Sequence, residues 1–189
     1  MRLFIWLVIL VLLAAAVVAL IPRLVPRVAT PEPYVGAADE AAAIAFSPPV
    51  NGLSIALKPG TQATPTGPEL SFVVYLRNDG QAPLAVCTRG DATPFVFVAE
   101  DGQTFTHATG HVPQLQARAD FVTLGPSWLI IIPHTVTARI APGRYRVRAQ
   151  LLPPSPDDPI AAAIEQTERL KVWRGPLLES AEVALEVSE

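Results

Sequence analysis

Three histidines and a single cysteine are the side chains in this sequence that are suited to binding a metal ion. His107 and His111 are four residues apart, and together with His134 and Cys87 they form a set of the kind that binds zinc or copper. A threonine–glycine pair between the first two histidines disfavours the helix that would place both on one face. No histidine follows Cys87 closely, as a blue-copper site requires, and the only methionine is the first residue. We therefore expect solvated loop histidines and a buried cysteine, with a metal-binding envelope protein as an alternative.

Sequence motifs for covalent catalysis or phosphate chemistry are not found. No Gly-x-Ser-x-Gly elbow is present, and Cys87 has no histidine near it in sequence to activate its thiol. The acidic pairs at residues 100–101 and 157–158 fall in turn-like segments, where aspartate supports backbone hydrogen bonds. Neither a phosphate-binding loop nor a dinucleotide-binding fingerprint occurs. We predict a protein without enzyme activity, catalytic residues or a cofactor.

Arginines at alternating positions form the most coherent charged surface in the sequence. Arg144, Arg146 and Arg148 point to one side of a predicted strand, and Arg139 precedes them. Such a stripe is suited to an anionic polymer, lipid headgroups or an acidic protein partner, and these four arginines are the candidate binding surface. Alternatively, the stripe is the solvated face of an antiparallel strand, balanced by acidic residues from neighbouring strands. The acidity of the surrounding sequence favours this second interpretation.

The strand that carries these arginines belongs to a series of short alternating segments. From Tyr145 to Leu151, every second residue is apolar and is expected to face inward. Similar patterns, separated by turn signals, occur over residues 53–57, 70–77, 83–87, 95–100, 104–106, 128–132, 135–140 and 183–187. Beyond the N-terminal apolar run, helix is predicted only over residues 37–46 and 158–165. Seven or eight short strands with nearly no helix predict an all-β fold, an antiparallel β-sandwich.

Tyr145 lies at the start of the penultimate strand, directly after an alanine–proline–glycine–arginine turn. A tyrosine at this place is typical of the tyrosine corner of immunoglobulin-like sandwiches, where its hydroxyl bonds to the backbone upstream. The alternative is a two-residue hairpin, which would set Arg139 directly opposite Arg146. Because two like charges would then face each other, we expect the corner. Val147 stands where antibody domains have a cysteine, which is consistent with a disulfide-free domain.

Between Leu70 and Leu151 the sequence resembles bacterial immunoglobulin-like modules of the BsuPI-like proteinase-inhibitor family. The resemblance is carried by LRNDGQAPL at residues 76–84, TRGDATPF at 88–95, EDG at 100–102 and APGRY at 141–145. Separately, VWRGPL at residues 172–177 is similar to the tryptophan–glycine segment before the last strand of other bacterial immunoglobulin-like modules. The resemblance implies an immunoglobulin-like fold and, as an alternative function, inhibition or regulation of a proteinase.

An uninterrupted run of nineteen apolar residues begins at Leu3 and ends at Ile21. As a helix it would be about 28 Å long, close to the ~30 Å thickness of a bilayer's hydrocarbon core. The run is longer than the hydrophobic part of an ordinary signal peptide, so we predict a membrane anchor. Small residues at positions 14–16 and 17–19 also match the cleavage pattern of signal peptides, and a secreted protein is the alternative.

Beyond residue 27 the chain is acidic. Three of its 14 basic residues and none of its 17 acidic residues precede that point, so the remainder has a formal charge of 11 − 17 = −6. This argues against a nucleic-acid partner. We predict an anchor over residues 1–22, a proline- and alanine-rich linker over 23–48, and a domain over 49–189 outside the cytoplasm. The predicted function is that of a membrane-tethered, non-enzymatic module of the cell envelope that binds a protein partner or acts as an accessory subunit.

Overall fold

A computed structural model of the protein describes residues 34–37, 44–60, 70–89, 92–107, 117–136 and 140–187, with only the backbone for the first range. All of them belong to one compact unit, Glu32–Glu189. Twelve strands form in these ranges, which confirms the all-β prediction: β1 Tyr34–Ala37, β2 Leu53–Pro59, β3 Leu70–Asn78, β4 Leu84–Cys87, β5 Phe95–Ala99, β6 Thr104–His107, β7 Phe121–Leu124, β8 Trp128–Val136, β9 Gly143–Leu151, β10 Lys171–Val172, β11 Leu178–Glu179 and β12 Val183–Val187. The helices are a 3₁₀ turn at Arg118–Asp120, the α-helix α1 at Pro159–Ala163 and a π-helical turn at Ile164–Glu168.

These strands form three sheets. The first has the order β1-β8-β3-β2 and is antiparallel throughout. In the second, β9 pairs with β5 on one side and with β11 and β12 on the other, and β5 also pairs with β6. The third sheet is small: β4 pairs with β7 antiparallel and with β10 parallel. Since the consecutive strands β8 and β9 lie in different sheets, the chain crosses from the first sheet to the second between them.

The first and second sheets share one apolar core. Along β3, Phe72 and every second residue after it are buried, and Tyr145 to Leu151 alternate in the same way along β9. The rings of Phe72 in the first sheet and Phe95 in the second stack with centroids 5.0 Å apart. The inward-facing residues of the two sheets therefore pack directly against each other.

Local signals correctly placed α1 and the turn after β3. Asp158 caps α1, since its Oδ1 accepts hydrogen bonds from the backbone N–H groups of Ile160 and Ala161 at 2.9 and 2.8 Å. Asn78 is fully buried at the end of β3, where its Nδ2 donates to the carbonyls of Ala82 and Leu124, both at 2.9 Å. Its Oδ1 accepts from the amide of Gly80 at 2.9 Å. This side chain thus ties the turn after β3 to the end of β7.

Other sequence predictions differ from the structure. Twelve strands are described instead of seven or eight, since β1, β7, β10 and β11 were not predicted; of these, β10 and β11 have two residues each and are too short to give a periodic pattern. Of the one or two strands expected on either side of Pro133, the structure has one: β8 continues through that residue, and the pairing with β1 does not extend to it. The helix predicted over residues 37–46 is absent at its described ends: Ala37 lies in β1, and residues 44–46 are irregular.

The described residues bear only in part on the predicted domain boundaries. Strand β1 lies within the stretch predicted as a linker and pairs with β8. No helix among the described residues combines the length and hydropathy needed to cross a membrane. The apolar run that begins at Leu3 lies outside the described ranges.

Candidate functional site

The predicted arginine stripe lies on the outer face of the second sheet. Arg144, Arg146 and Arg148 alternate along β9 with the buried residues of the core, so their side chains point away from it. Strand β5 flanks them on one side and β12 on the other. Arg139, the fourth residue of the predicted surface, lies outside the described ranges.

Each of these three arginines faces a glutamate from a neighbouring segment. The ion pairs are Arg144 Nη1–Glu100 Oε1 at 3.8 Å, Arg146 Nη1–Glu182 Oε2 at 3.2 Å, Arg148 Nε–Glu179 Oε1 at 3.2 Å and Arg148 Nη1–Glu182 Oε1 at 3.4 Å. Glu186 lies directly opposite Arg144 in the register of β12 and β9. We call these seven residues the Glu–Arg face. With three arginines and four glutamates, its formal charge is 3 − 4 = −1, so it is not a basic surface.

A groove of about 440 Å³ opens at the β9 start of the Glu–Arg face. In the middle of the groove, Val98 and Ala184 lie on either side of Arg146 in the register of the sheet. The complete lining is Val98, Ala99, Glu100, Arg144, Tyr145, Arg146 and Ala184. Both partners of the ion pair at its rim, Arg144 and Glu100, are 71% exposed, and such a pair adds little to stability. The groove therefore offers a small apolar floor with charged groups that a ligand can reach.

Tyr145 joins the groove to the core. Its ring is buried and lies edge-on to the rings of Phe97 and Phe105, at 6.4 and 5.9 Å between centroids. Its hydroxyl donates a hydrogen bond to the carbonyl of Ala141 at 2.8 Å. This bond holds the segment that crosses between the sheets against the start of β9. It thereby positions the two arginines of the groove.

His134 is buried, whereas a solvated loop histidine was expected. His134 lies on the core side of β8, and its ring meets Phe95 edge to face at 5.3 Å. No described residue bonds its Nε2 atom, and burial lowers the pKa of His134 to about 4. The prediction was wrong here because β8 runs on through Pro133 and turns His134 inward. His107 ends β6, opposite Phe95, and His111 lies outside the described ranges.

Cys87 is buried, as predicted. It lies at the end of β4 in a second apolar cluster with Phe121 of β7 and Ile164 of the π-helical turn. Its surroundings are those of a packing residue. Within the described ranges, no three residues among His, Cys, Asp and Glu come together in a way that would hold a metal ion.

Two tryptophans in the described ranges serve packing. Trp128 is half exposed at the start of β8, and its indole ring lies over Gly125. Trp173 is 2% exposed, and its Nε1 donates to the carbonyl of Val50 at 2.9 Å. Since the ring of Trp173 is buried and its nitrogen bonded within the protein, it is not a stacking platform for a ligand.

The glutamates of the Glu–Arg face were the functional residues missing from the sequence prediction. Glu182 and Glu186 alternate with the apolar residues of the last predicted strand, which is the signal that could have found them. That alternation does not predict which strand the two glutamates face.

Comparison of the chain with protein-family models and with curated proteins finds no match in either set. The geometry of the Glu–Arg face and its groove is therefore the basis for assigning a function.

Proposed function

We propose that this protein is a non-enzymatic, immunoglobulin-like module of the cell envelope, tethered to the membrane by its N-terminal apolar run, that binds another protein. The observation that carries the proposal is the groove on the Glu–Arg face. It combines a small apolar floor with two arginines, a residue type that is enriched in protein–protein interfaces. Its rim charges are exposed and available to a partner.

The immunoglobulin-like assignment is supported by the surroundings of Tyr145. This tyrosine begins a strand, bonds to a backbone carbonyl four residues upstream, and stands directly after a crossing between two sheets. A tyrosine corner in immunoglobulin-like sandwiches has the same three properties. The resemblance to BsuPI-like modules points in the same direction.

Charge favours a basic protein surface as the partner. The Glu–Arg face has a formal charge of −1, and the chain beyond residue 27 has a formal charge of −6. Long-range attraction therefore favours a partner that carries lysine or arginine. The apolar run from Leu3 to Ile21 would hold the module at the bilayer, so the partner is expected among the proteins of the envelope.

Crosslinking in native membranes tests this proposal. The full chain is expressed as wild type, as the double variant Glu100→Lys/Glu182→Lys, which makes the Glu–Arg face positive and should repel a basic partner, and as Lys58→Glu, whose exposed site lies on β2 in the other sheet. We expect mass spectrometry to identify a partner that wild type and Lys58→Glu capture and the double variant loses. Circular dichroism checks that all three fold. Equal capture by all three, or capture of no protein reproducibly, would refute binding through the groove.

A further inference from the structure

The chain contains two asparagines, and they lie in opposite environments. Asn51 is exposed and is followed by Gly52, whereas Asn78 is fully buried and is followed by Asp79. Asn51 and Gly52 form a two-residue turn closed by two hydrogen bonds between Val50 and Leu53, at 2.8 and 3.1 Å. Both turn residues have positive φ, 50° and 83°, as an Asn-Gly hairpin turn requires.

We propose that Asn51 is a site of spontaneous deamidation in the folded protein. The backbone nitrogen of Gly52 loses its proton to water and attacks Cγ of Asn51, so a Cγ–N bond forms. The Cγ–Nδ2 bond then breaks, and the former amide leaves as ammonia. Water adds to either carbonyl of the resulting succinimide ring and opens it, giving aspartate or isoaspartate. No oxidant or further reactant is needed.

The surroundings of Asn51 allow this reaction. Its side chain is open to the water that the reaction consumes, and Gly52 has no side chain to shield its own nitrogen. None of the described residues accepts a hydrogen bond from the amide of Gly52. At Asn78, by contrast, the side-chain amide is buried and both its nitrogen and its oxygen are hydrogen-bonded.

Deamidation would disturb a contact that is remote in sequence. Asn51 Nδ2 donates to the carbonyl of Arg174 at 3.1 Å, and a carboxylate in its place would set two acceptors against each other. Isoaspartate would in addition insert a backbone atom into the two-residue turn. The carbonyl of Val50 in that turn also accepts the indole bond of Trp173. The modification is thus expected to weaken the hydrogen bond between the Trp173 indole and the carbonyl of Val50.

Peptide mapping of aged protein tests the proposal. The full chain is incubated folded at mildly alkaline pH, and a second sample is incubated in urea to show that the sequence itself reacts. In the peptide that contains Asn51, we expect the side-chain amide to be replaced by a carboxylic acid, with the corresponding rise in mass, several-fold faster than in the peptide that contains Asn78. The product should be a mixture of aspartate and isoaspartate. The proposal fails if Asn51 keeps its amide in the folded chain while it converts in urea, or if Asn78 converts equally fast.

Hydrogen exchange at the Trp173 indole tests the consequence. Exchange is expected to be faster in aged wild type than in fresh protein, and to stay unchanged on ageing in Asn51→Gln. If the variant fails to fold, the comparison of aged with fresh wild-type protein still tests the link, since it requires no substitution. Unchanged indole exchange after conversion of Asn51 would overturn the link to Trp173.

Discussion

The imidazole of His134 meets the ring of Phe95 edge to face, with 5.3 Å between the ring centroids, so a titratable group from one sheet lies against the core of the other. Only 8% of His134 is exposed, and no described residue bonds its Nε2. Protonation would place a charge in this apolar contact. Burial therefore lowers the pKa of His134 to about 4.

Because of His134, the free energy of unfolding is expected to decrease as the pH is lowered. In the unfolded chain the pKa of this residue is near 6.5, and in the folded protein it is about 4. Between these values the unfolded state binds more protons, so acidification favours unfolding. The full effect, about 3 kcal/mol, is reached once the pH falls below about 4. Denaturant unfolding as a function of pH measures this loss.

The matched variants for this prediction are His134→Leu and Thr135→Val, the second at an exposed, non-titratable neighbour on β8. Replacement of His134 should remove about 3 kcal/mol of the pH dependence. The Thr135 variant should keep the wild-type dependence. Identical pH profiles for wild type and His134→Leu would contradict a buried, neutral His134.

Tyr145→Phe is expected to destabilise the protein by about 1 kcal/mol, because it removes the donor to the carbonyl of Ala141 and keeps the ring. Equilibrium unfolding in urea measures the change. Tyr75→Phe removes a hydroxyl from the outer face of β3 and is the control. An equal or larger loss in the control would argue against a structural role for the Tyr145 hydroxyl.

Trp173→Phe is expected to cost about 1–3 kcal/mol, since it removes the hydrogen bond to Val50 and part of a buried ring. Thermal or denaturant unfolding reports the loss. Trp128→Phe alters a half-exposed ring and should change stability by clearly less. The prediction is wrong if the two variants are equally stable.

Gly175→Ala should also destabilise the protein, by about 1–3 kcal/mol, because the new Cβ would lie 2.5 Å from Cζ2 of Trp173. Gly125→Ala is a matched control, since its Cβ would meet the Trp128 ring at an ordinary distance of 3.4 Å. Unfolding midpoints compare the two. A tolerated alanine at residue 175 would mean that the Trp173 ring is free to shift.

The ion pair between Arg118 and Glu168 is expected to control the pKa of the Glu168 carboxylate. Arg118 donates through Nε and Nη2 to the two carboxylate oxygens at 2.5 and 2.7 Å, and this hydrogen bonding lowers the pKa of Glu168. Arg118→Gln should raise the pKa of Glu168 toward its ordinary value, as followed by NMR titration. Arg174→Gln, which lies next to Glu165 instead, should leave it unchanged. The same pKa in both variants would contradict the pairing.

Features set by neighbouring residues were predictable from the sequence. The alternation from Arg144 to Leu151 predicted β9 to within one residue at its start, and Asp158-Pro159 located the beginning of α1. The turn after Asn78 followed from its residue types in the same way. In each case the physical cause acts within a few residues, so it is visible in the local sequence.

Pairing between distant segments was not predictable. Strand β10 has two residues and lies parallel to β4, which is more than 80 positions away. The glutamates that pair with Arg146 and Arg148 come from β11 and from the residue before β12, which no local pattern assigns to that face. The inward orientation of His134 depended likewise on β8 running unbroken between β1 and β3.

The late position of β10, β11 and β12 in the chain has a consequence for biosynthesis. While the protein is being made, one side of β4 and one side of β9 have no partner until the residues from Lys171 onward have emerged. Unpaired strand edges invite wrong association with other chains. Pairing of these three short strands covers both open edges and so removes that risk.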